Sequence, residues 1–348
     1  MEVTRKVINS LKEVASLPDP APGRLFSATH EEILGGLTTD IYFVKALEIL
    51  KYLQMEGTVV TAEVFASQEG LLAGVDEVTA LLAGRGVEVW TLPEGATFTG
   101  REVVMRLTGP YDRFAQFETA LLGILSSSSG WASAAARCRA AAGAKRVICF
   151  GARHVHPAVA PVMERAAIVG GADGASCIIG AKLAGREPVG TVPHAAFLIA
   201  GDTLRVAHAY REAMPPGSPV VILVDTFKDE AEETLNVARA MGEHLQAIRL
   251  DTPGERGGVT PGLVREVRAR LDQEGYRHVQ ILVSGGLNPE RISLLGAAGA
   301  DSFGVGSYIS GAAPIDMTMD LKETGGKPVA KRGRIPGRTE NPRLRKVL

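Results

Sequence analysis

A chain of 348 residues, 45% hydrophobic and 22% charged, has the size and balance of a globular protein with room for one barrel and a smaller domain. Lys+Arg 38 against Asp+Glu 39 leaves a net charge of -1, which excludes a global pull towards nucleic acid or an anionic membrane. Cys138, Cys149 and Cys177 lack CxxC spacing and predict neither a disulfide framework nor a zinc site. No apolar run reaches the ~18 residues that span a bilayer, and the charged start (Glu2, Arg5, Lys6) lacks a signal-peptide core, so a cytoplasmic protein is expected.

In chain order, the spacing of Ile41, Val44, Leu47 and Leu50 predicts a helix over 39–54, capped by Thr38 or Thr39. Strands are expected at 59–65, 87–90 and 103–107, with a helix at 75–84. This mixture has no clean βαβ repeat, so residues 1–115 are expected to form an α+β domain. Segments 114–125 and 130–142 look like two helices parted by a polar turn, Ser126 to Ser129.

From residue 146 short apolar runs alternate with helix-compatible segments. Strands are expected at 146–151, 175–179, 189–193, 220–225, 246–251, 279–285 and 301–306. The pattern predicts an α/β fold for 116–314, a (β/α) barrel whose strand ends meet at one mouth. An open doubly wound sheet competes, but no GxGxxG fingerprint follows a first strand. The basic tail, with Lys331, Arg334, Arg338, Arg343 and Lys346, is either a solvated charge run or a segment packed back on the first domain.

The expected strand ends carry the chemistry. Ile281 to Val283 ends in Ser284-Gly285-Gly286, and Ser302-Phe303 ends in Gly304-Val305-Gly306. Glycines there let bare N–H groups approach a ligand, and two such ends flanking a short helix at 289–295 suggest a phosphate cup. The ligand expected is a phosphorylated sugar. Phe150-Gly151-Ala152-Arg153-His154-Val155-His156 offers a ring for stacking and a guanidinium for phosphate or carboxylate. Equally, it fits a core Phe with surface polar groups.

Thr191 and His194 end another expected strand, and a lone histidine there is structural as often as catalytic. Asp225-Thr226 and Asp251 are placed to hold ribose hydroxyls or Mg²⁺ waters. Arg249 shares its strand face with Asp251, so mutual neutralisation is the plainer outcome. The loop 249–258 either closes over pyrophosphate or is simply solvated.

With these residues assembled, the chain resembles the nicotinate phosphoribosyltransferase family in its short bacterial and archaeal form. The similarity runs from about 25 to 335 and rests on seven segments in order, among them 38–43, 170–176, 190–194 and 249–251. The resemblance implies an incomplete α/β barrel with an N-terminal α+β sandwich domain, the tail from 315 lying on the latter, in a homo-oligomer with shared active sites. It implies nicotinate stacked between Phe150 and Tyr42, the latter reaching a neighbour's site, with Arg249 near the carboxylate. Arg153, with His156, Ser176 and Thr191 beside it, would face phosphoribosyl pyrophosphate. Asp225, Thr226 and Asp251 would face the ribose, and Ser284, Gly285, Gly286, Gly304 and Gly306 the 5′-phosphate.

His194 matches a histidine that ATP-linked members phosphorylate, so ATP is implied as co-substrate and Mg²⁺ as cofactor. Two departures stand out: His154 replaces a second arginine common in the family, and the tail has no cysteine for the metal knuckle of some relatives. Quinolinate phosphoribosyltransferase shares the glycine ends, but its early Arg-Lys-Thr segment is missing. A non-catalytic sugar-phosphate-binding barrel is the reading from another class.

Overall fold

The computed structural model describes residues 7–18 and 23–348; Glu2, Arg5 and Lys6 lie outside them. The chain divides into two compact units, 1–130 with 313–348, and 131–312. The expected division lay earlier, at 115–116. The displacement has a local cause, because Glu118–Ala142 is one helix and not two. The serine run is accommodated inside it because small hydroxyls find partners. Ser126 Oγ donates to the Ile315 carbonyl at 2.7 Å, and Ser129 Oγ accepts from the Ala73 N–H at 3.1 Å. At Gly130 an added Cβ would lie 2.4 Å from the Ala313 carbonyl oxygen, so only glycine allows that approach.

The first unit is built on an antiparallel sheet in the order 327–328, Met317–Thr324, Val59–Ala66, Val103–Pro110, Glu88–Thr91, 345–346. At the start of helix Ile41–Tyr52 the N-cap position falls to Asp40, not to either threonine, and its side chain makes no capping bond. The Asp40 N–H donates to Thr119 Oγ1, and its carboxylate accepts from the same hydroxyl. The strand Met317–Thr324 was not anticipated, although Met317, Met319 and Leu321 alternate with polar residues.

The basic tail is tied down charge by charge. Arg334 pairs with Asp320, Arg338 with Glu323, Arg343 with Glu102 and Lys346 with Glu88, all at 2.6–2.9 Å. Leu344 enters the core of this unit.

Glu118 begins the long helix. Burial pushes its carboxyl up to about 7, and the charge of Asp320 adds to the rise. A raised acid favours folding while protonated, so its contribution is full below the ordinary value of 4.5 and is lost as pH rises through 7. Glu118→Gln is therefore expected to melt above the parent at pH 8 and level with it near pH 4. Parallel thermal melts at the two pH values check this, and a uniform offset would contradict it.

The second unit carries a six-stranded parallel sheet in the order Gly174–Ala175, Arg146–Cys149, Ser302–Val305, Gln280–Ser284, Leu245–Leu250, Val220–Leu223. Read from 146, the order follows the chain round an incomplete barrel. The opening falls between the edges 174–175 and 220–223. Two expected strands fail there. Of 175–179 only Ala175 is extended, in the short strand Gly174–Ala175, Ile178–Leu183 being helix, and 189–193 makes no ladder. A single backbone bond, Val189 N–H to the Ala175 carbonyl at 2.9 Å, fixes its course. Two glycines and two prolines within 185–193 explain why the apolar letters did not become a stave.

Strand parity then sorts the side chains. Val147, Cys149, Ile248, Leu250, Ile281, Val283, Phe303 and Val305 join the core of this unit. Their alternates Ile148, Phe150, Arg249, Asp251, Leu282, Ser284, Ser302 and Gly304 therefore share the other face. Register sets the neighbours: Arg249 lies beside Leu282 and Leu223, and Ser284 beside Gly304. Among the described residues, no helix is long and apolar enough to cross a membrane.

Candidate active site

A cavity of about 440 Å³ opens within the second unit, where the strands end. Phe150, Arg153, Ser176, Thr191, Arg249, Asp251, Ser284, Gly285, Gly286, Gly304 and Gly306 line it, as the sequence led one to expect. His154 and Ser307 also line it and were not in the expected set.

Arg249 is the hub. Its Nε donates to Ser284 Oγ at 2.8 Å, Nη1 to Thr191 Oγ1 at 2.7 Å and Nη2 to Asp251 Oδ2 at 3.2 Å. One guanidinium thus ties the strand ends at 251 and 284 to the irregular segment at 191, where the ladder is missing. Ser284 Oγ in turn donates to Asp251 Oδ1 at 2.7 Å. Burial draws the Arg249 pKa below its ordinary value, while Asp251 and Asp225 oppose the fall. The expected neutralisation by Asp251 is real but partial, since two of three donors go to hydroxyls.

Phe150 is held by its N–H, which donates to the Val305 carbonyl at 2.8 Å. The Arg249 guanidinium lies 5.3 Å from the ring centroid. The ring leans on Gly304, where a Cβ would come within 2.4 Å of it. At Gly306 a Cβ would come within 2.9 Å of the His154 ring. Gly285 (φ +90°) and Gly286 (φ +59°) both adopt the left-handed region, a backbone shape that side chains disfavour and that can present bare N–H groups to an anion. Beyond Gly286 the space is open.

His194, half-exposed, starts the helix His194–Ala200. Its Nδ1 and Thr226 Oγ1 share a hydrogen bond of 3.1 Å, while Nε2 stands 3.8 Å from Asp225 and 3.6 Å from Asp251. The Asp225 carboxyl is 1% exposed; neither oxygen meets full hydrogen-bond geometry, although the backbone N–H groups of Asp225 and Asp251 act on it and favour its charged form. Burial raises its pKa, the His194 charge opposes this, and Asp251 adds to it. A buried carboxylate with so little hydrogen bonding is helped by a proton or a cation. Asp225 and Asp251 are hard oxygen donors of the kind a divalent cation such as magnesium takes. Among the described residues no three His, Cys, Asp or Glu side chains form a protein-only metal cluster.

Two expected residues are not in this constellation. His156 Nδ1 accepts from the Ala158 N–H at 3.1 Å and serves the local turn. Tyr42 belongs to the first unit and is exposed, its ring 4.2 Å from that of Phe43. The loop 252–258 is a short turn anchored by Thr252 Oγ1 donating to the buried Glu230 at 2.8 Å. Glu164 was missed altogether. It is wholly buried and accepts from two rim loops, and only its place inside the apolar run 158–169 hinted at that.

A curled parallel sheet with glycines, an aromatic ring and two carboxylates at its strand ends is the architecture of the barrel-bearing, type II phosphoribosyltransferase fold. The chain matches the family profiles "Quinolinate phosphoribosyl transferase, N-terminal domain" over 40–129 and "C-terminal domain" over 131–320, and it belongs to that family. It is 34% identical over 250 residues to a nicotinate phosphoribosyltransferase of Mycobacterium tuberculosis, covering 69% of this chain and 54% of the relative. It thus spans about half the length of that curated relative. A solved nicotinate-nucleotide pyrophosphorylase from Pyrococcus furiosus is 42% identical, with TM-score 0.86 over 93% of this chain and 86% of that one. Human nicotinic acid phosphoribosyltransferase shares the fold, with TM-score 0.67 at 19% identity over 86% of this chain and 77% of the other.

Proposed function

We propose that this chain is a nicotinate phosphoribosyltransferase that forms nicotinate mononucleotide and pyrophosphate from nicotinate and phosphoribosyl pyrophosphate. The observation that carries the reading is that the Phe150 ring and the Arg249 guanidinium, 5.3 Å apart, line one cavity and set a flat apolar face beside one cation. A planar ring bearing a single carboxylate suits it. The name of the mycobacterial relative points the same way.

The chemistry needs little proton traffic. The C1–O bond to pyrophosphate breaks with its electron pair leaving on oxygen, and the pyridine nitrogen lone pair forms the new bond to C1. That nitrogen is unprotonated near neutral pH, so no general base is required. The residues must position the ring and stabilise separated charge. Phe150 orients the pyridine, Arg249 holds its carboxylate, and Arg153 faces the leaving group, having no hydrogen-bond or ion-pair partner among the described residues. Asp225 and Asp251 face the cation-like ribosyl centre and would hold magnesium, which when bound neutralises charge on pyrophosphate. The glycine ends at 285–286 and 304–306 receive the 5′-phosphate.

His194 is the proposed acceptor of a phosphoryl group from ATP, later released to water, so that ATP hydrolysis drives product formation. Thr226 fixes its ring, and two carboxylates face its other nitrogen. His194→Ala is expected to retain slow synthesis and lose ATP stimulation. Turnover as fast as the parent's and fully stimulated by ATP would remove His194 from this role. A cytoplasmic homo-oligomer, with Tyr42 reaching a neighbouring copy's site, completes the reading.

A quinolinate-type role is the second reading, favoured by the family profiles and by the name of the Pyrococcus relative. A dicarboxylate calls for more cationic groups than the cavity offers, where Arg153, Arg249 and His154 are the basic side chains. Pyrophosphate release measured with nicotinate, nicotinamide and quinolinate, each with and without ATP, separates the readings. Turnover of quinolinate alone would end the first.

A further inference from the structure

We propose that Glu164, outside the cavity, is a positioning residue that locks two of its rim loops into one unit, an inference that rests on the phosphoribosyl-transfer reading. The sheet is weakest where these loops leave it. Strands 146–149 and 174–175 pair through only Ile148 with Gly174 and Cys149 with Ala175, and the second is an edge. Beyond those pairs one backbone bond holds the root of each loop, Phe150 N–H to the Val305 carbonyl at 2.8 Å and Ser176 N–H to the Cys149 carbonyl at 3.1 Å, yet the first loop carries Arg153 and the second Ser176, both lining the cavity.

Glu164 replaces the missing ladder. It sits on the helix Ala160–Val169 with no exposed surface. Oε1 accepts from the Gly151 and Ala152 N–H groups, both at 3.1 Å, and from Ser176 Oγ at 2.9 Å. Oε2 accepts from the Cys177 N–H at 2.5 Å. Four donors from two loops fill the acceptor sites of one carboxylate, and no neutral side chain of that size offers as many. Met163 seals the same junction, its Cε within 2.7 Å of where a Gly151 Cβ would be. An amide at 164 would set N–H against N–H at one of the loops and release it.

The test is Glu164→Gln, read in two ways. In the first, kcat for nucleotide formation is expected to fall by about 10²-fold at a temperature where the variant stays folded, as for a displacement of about 1 Å in the reacting groups. KM is expected to change far less. In the second, Cys177 in the folded variant is expected to react with an aromatic disulfide at least about tenfold faster, because local opening exposes its loop. The buried Cys138 and Cys149 should stay protected and report that the core is intact. Glu164→Asp, which keeps the charge but shortens the reach, is read identically if the glutamine variant does not fold. Unchanged kcat with unchanged Cys177 labelling overturns the proposal. So does global unfolding of both variants, which would make Glu164 a core residue and nothing more. If the parent turns over no pyridine acid, the functional reading fails by itself, while the labelling still decides whether Glu164 couples the loops.

Discussion

Arg249→Ala is expected to lower kcat/KM for nicotinate by about 10²–10³-fold, the size of effect seen when one fixed charge-stabilising donor is removed from an active site. The guanidinium holds Ser284, Thr191 and Asp251 at once, so its loss both empties the proposed carboxylate-binding position and loosens two strand-end groups and the irregular segment at 191. Stability should fall too. Breaking a fully buried pair by removing one partner costs ~3–5 kcal/mol, and this pair, with 17% and 21% of its side chains exposed, should lie below that range. The two losses can be separated. Adding Asp251→Asn removes the stranded charge and should restore part of the melting temperature while leaving activity low. Arg249→Lys should recover charge but not the three-way fork, and so rank between the parent and alanine. Near-parental kcat/KM in a folded Arg249→Ala protein would take the nicotinate carboxylate away from Arg249.

Gly304→Ala is the second large effect expected. Its Cβ would lie 2.4 and 2.5 Å from two carbons of the Phe150 ring and 3.2 Å from Ser284 Cβ. None of these neighbours is the end of a flexible chain. Overpacking of this kind costs ~1–3 kcal/mol, and the ring is the part most able to yield. A displaced ring no longer stacks, and a stacked heterocyclic base is worth ~1–3 kcal/mol, so KM for nicotinate should rise by about tenfold or more. Adding Phe150→Ala should relieve the clash and recover stability without recovering affinity. Steady-state kinetics and thermal melts on the two single variants and the double variant measure both arms. Strict additivity in stability would show that residues 304 and 150 do not press on one another.

Much of this was legible in the letters. Short apolar runs ending in glycine or aspartate announced the parallel strands at 146, 220, 245, 280 and 302, because a buried stave must be apolar and a ligand-facing end need not be. The cup at 284–286 and 304–306 followed from the same contrast. Period-two parity placed Arg249 with Asp251 before any coordinates. The misses are equally physical. The serine run 126–129 reads as a turn locally, yet remains helical because Ala73 and Ile315 supply partners that no window of sequence contains. The apolar letters at 189–193 suggested a strand, but glycine and proline deny it a ladder, and side chains close the wall instead.

The chain by itself determined the class of fold, the strand ends and the residue types at the rim, since those depend on hydrophobic period and on where backbone must be bare. Only the tertiary structure decided that Arg249 is shared among Ser284, Thr191 and Asp251, that Asp225 is buried beside His194, and that Glu164 binds two loops. Those facts arise from register and burial between segments far apart in sequence, and no local pattern encodes the distance between them.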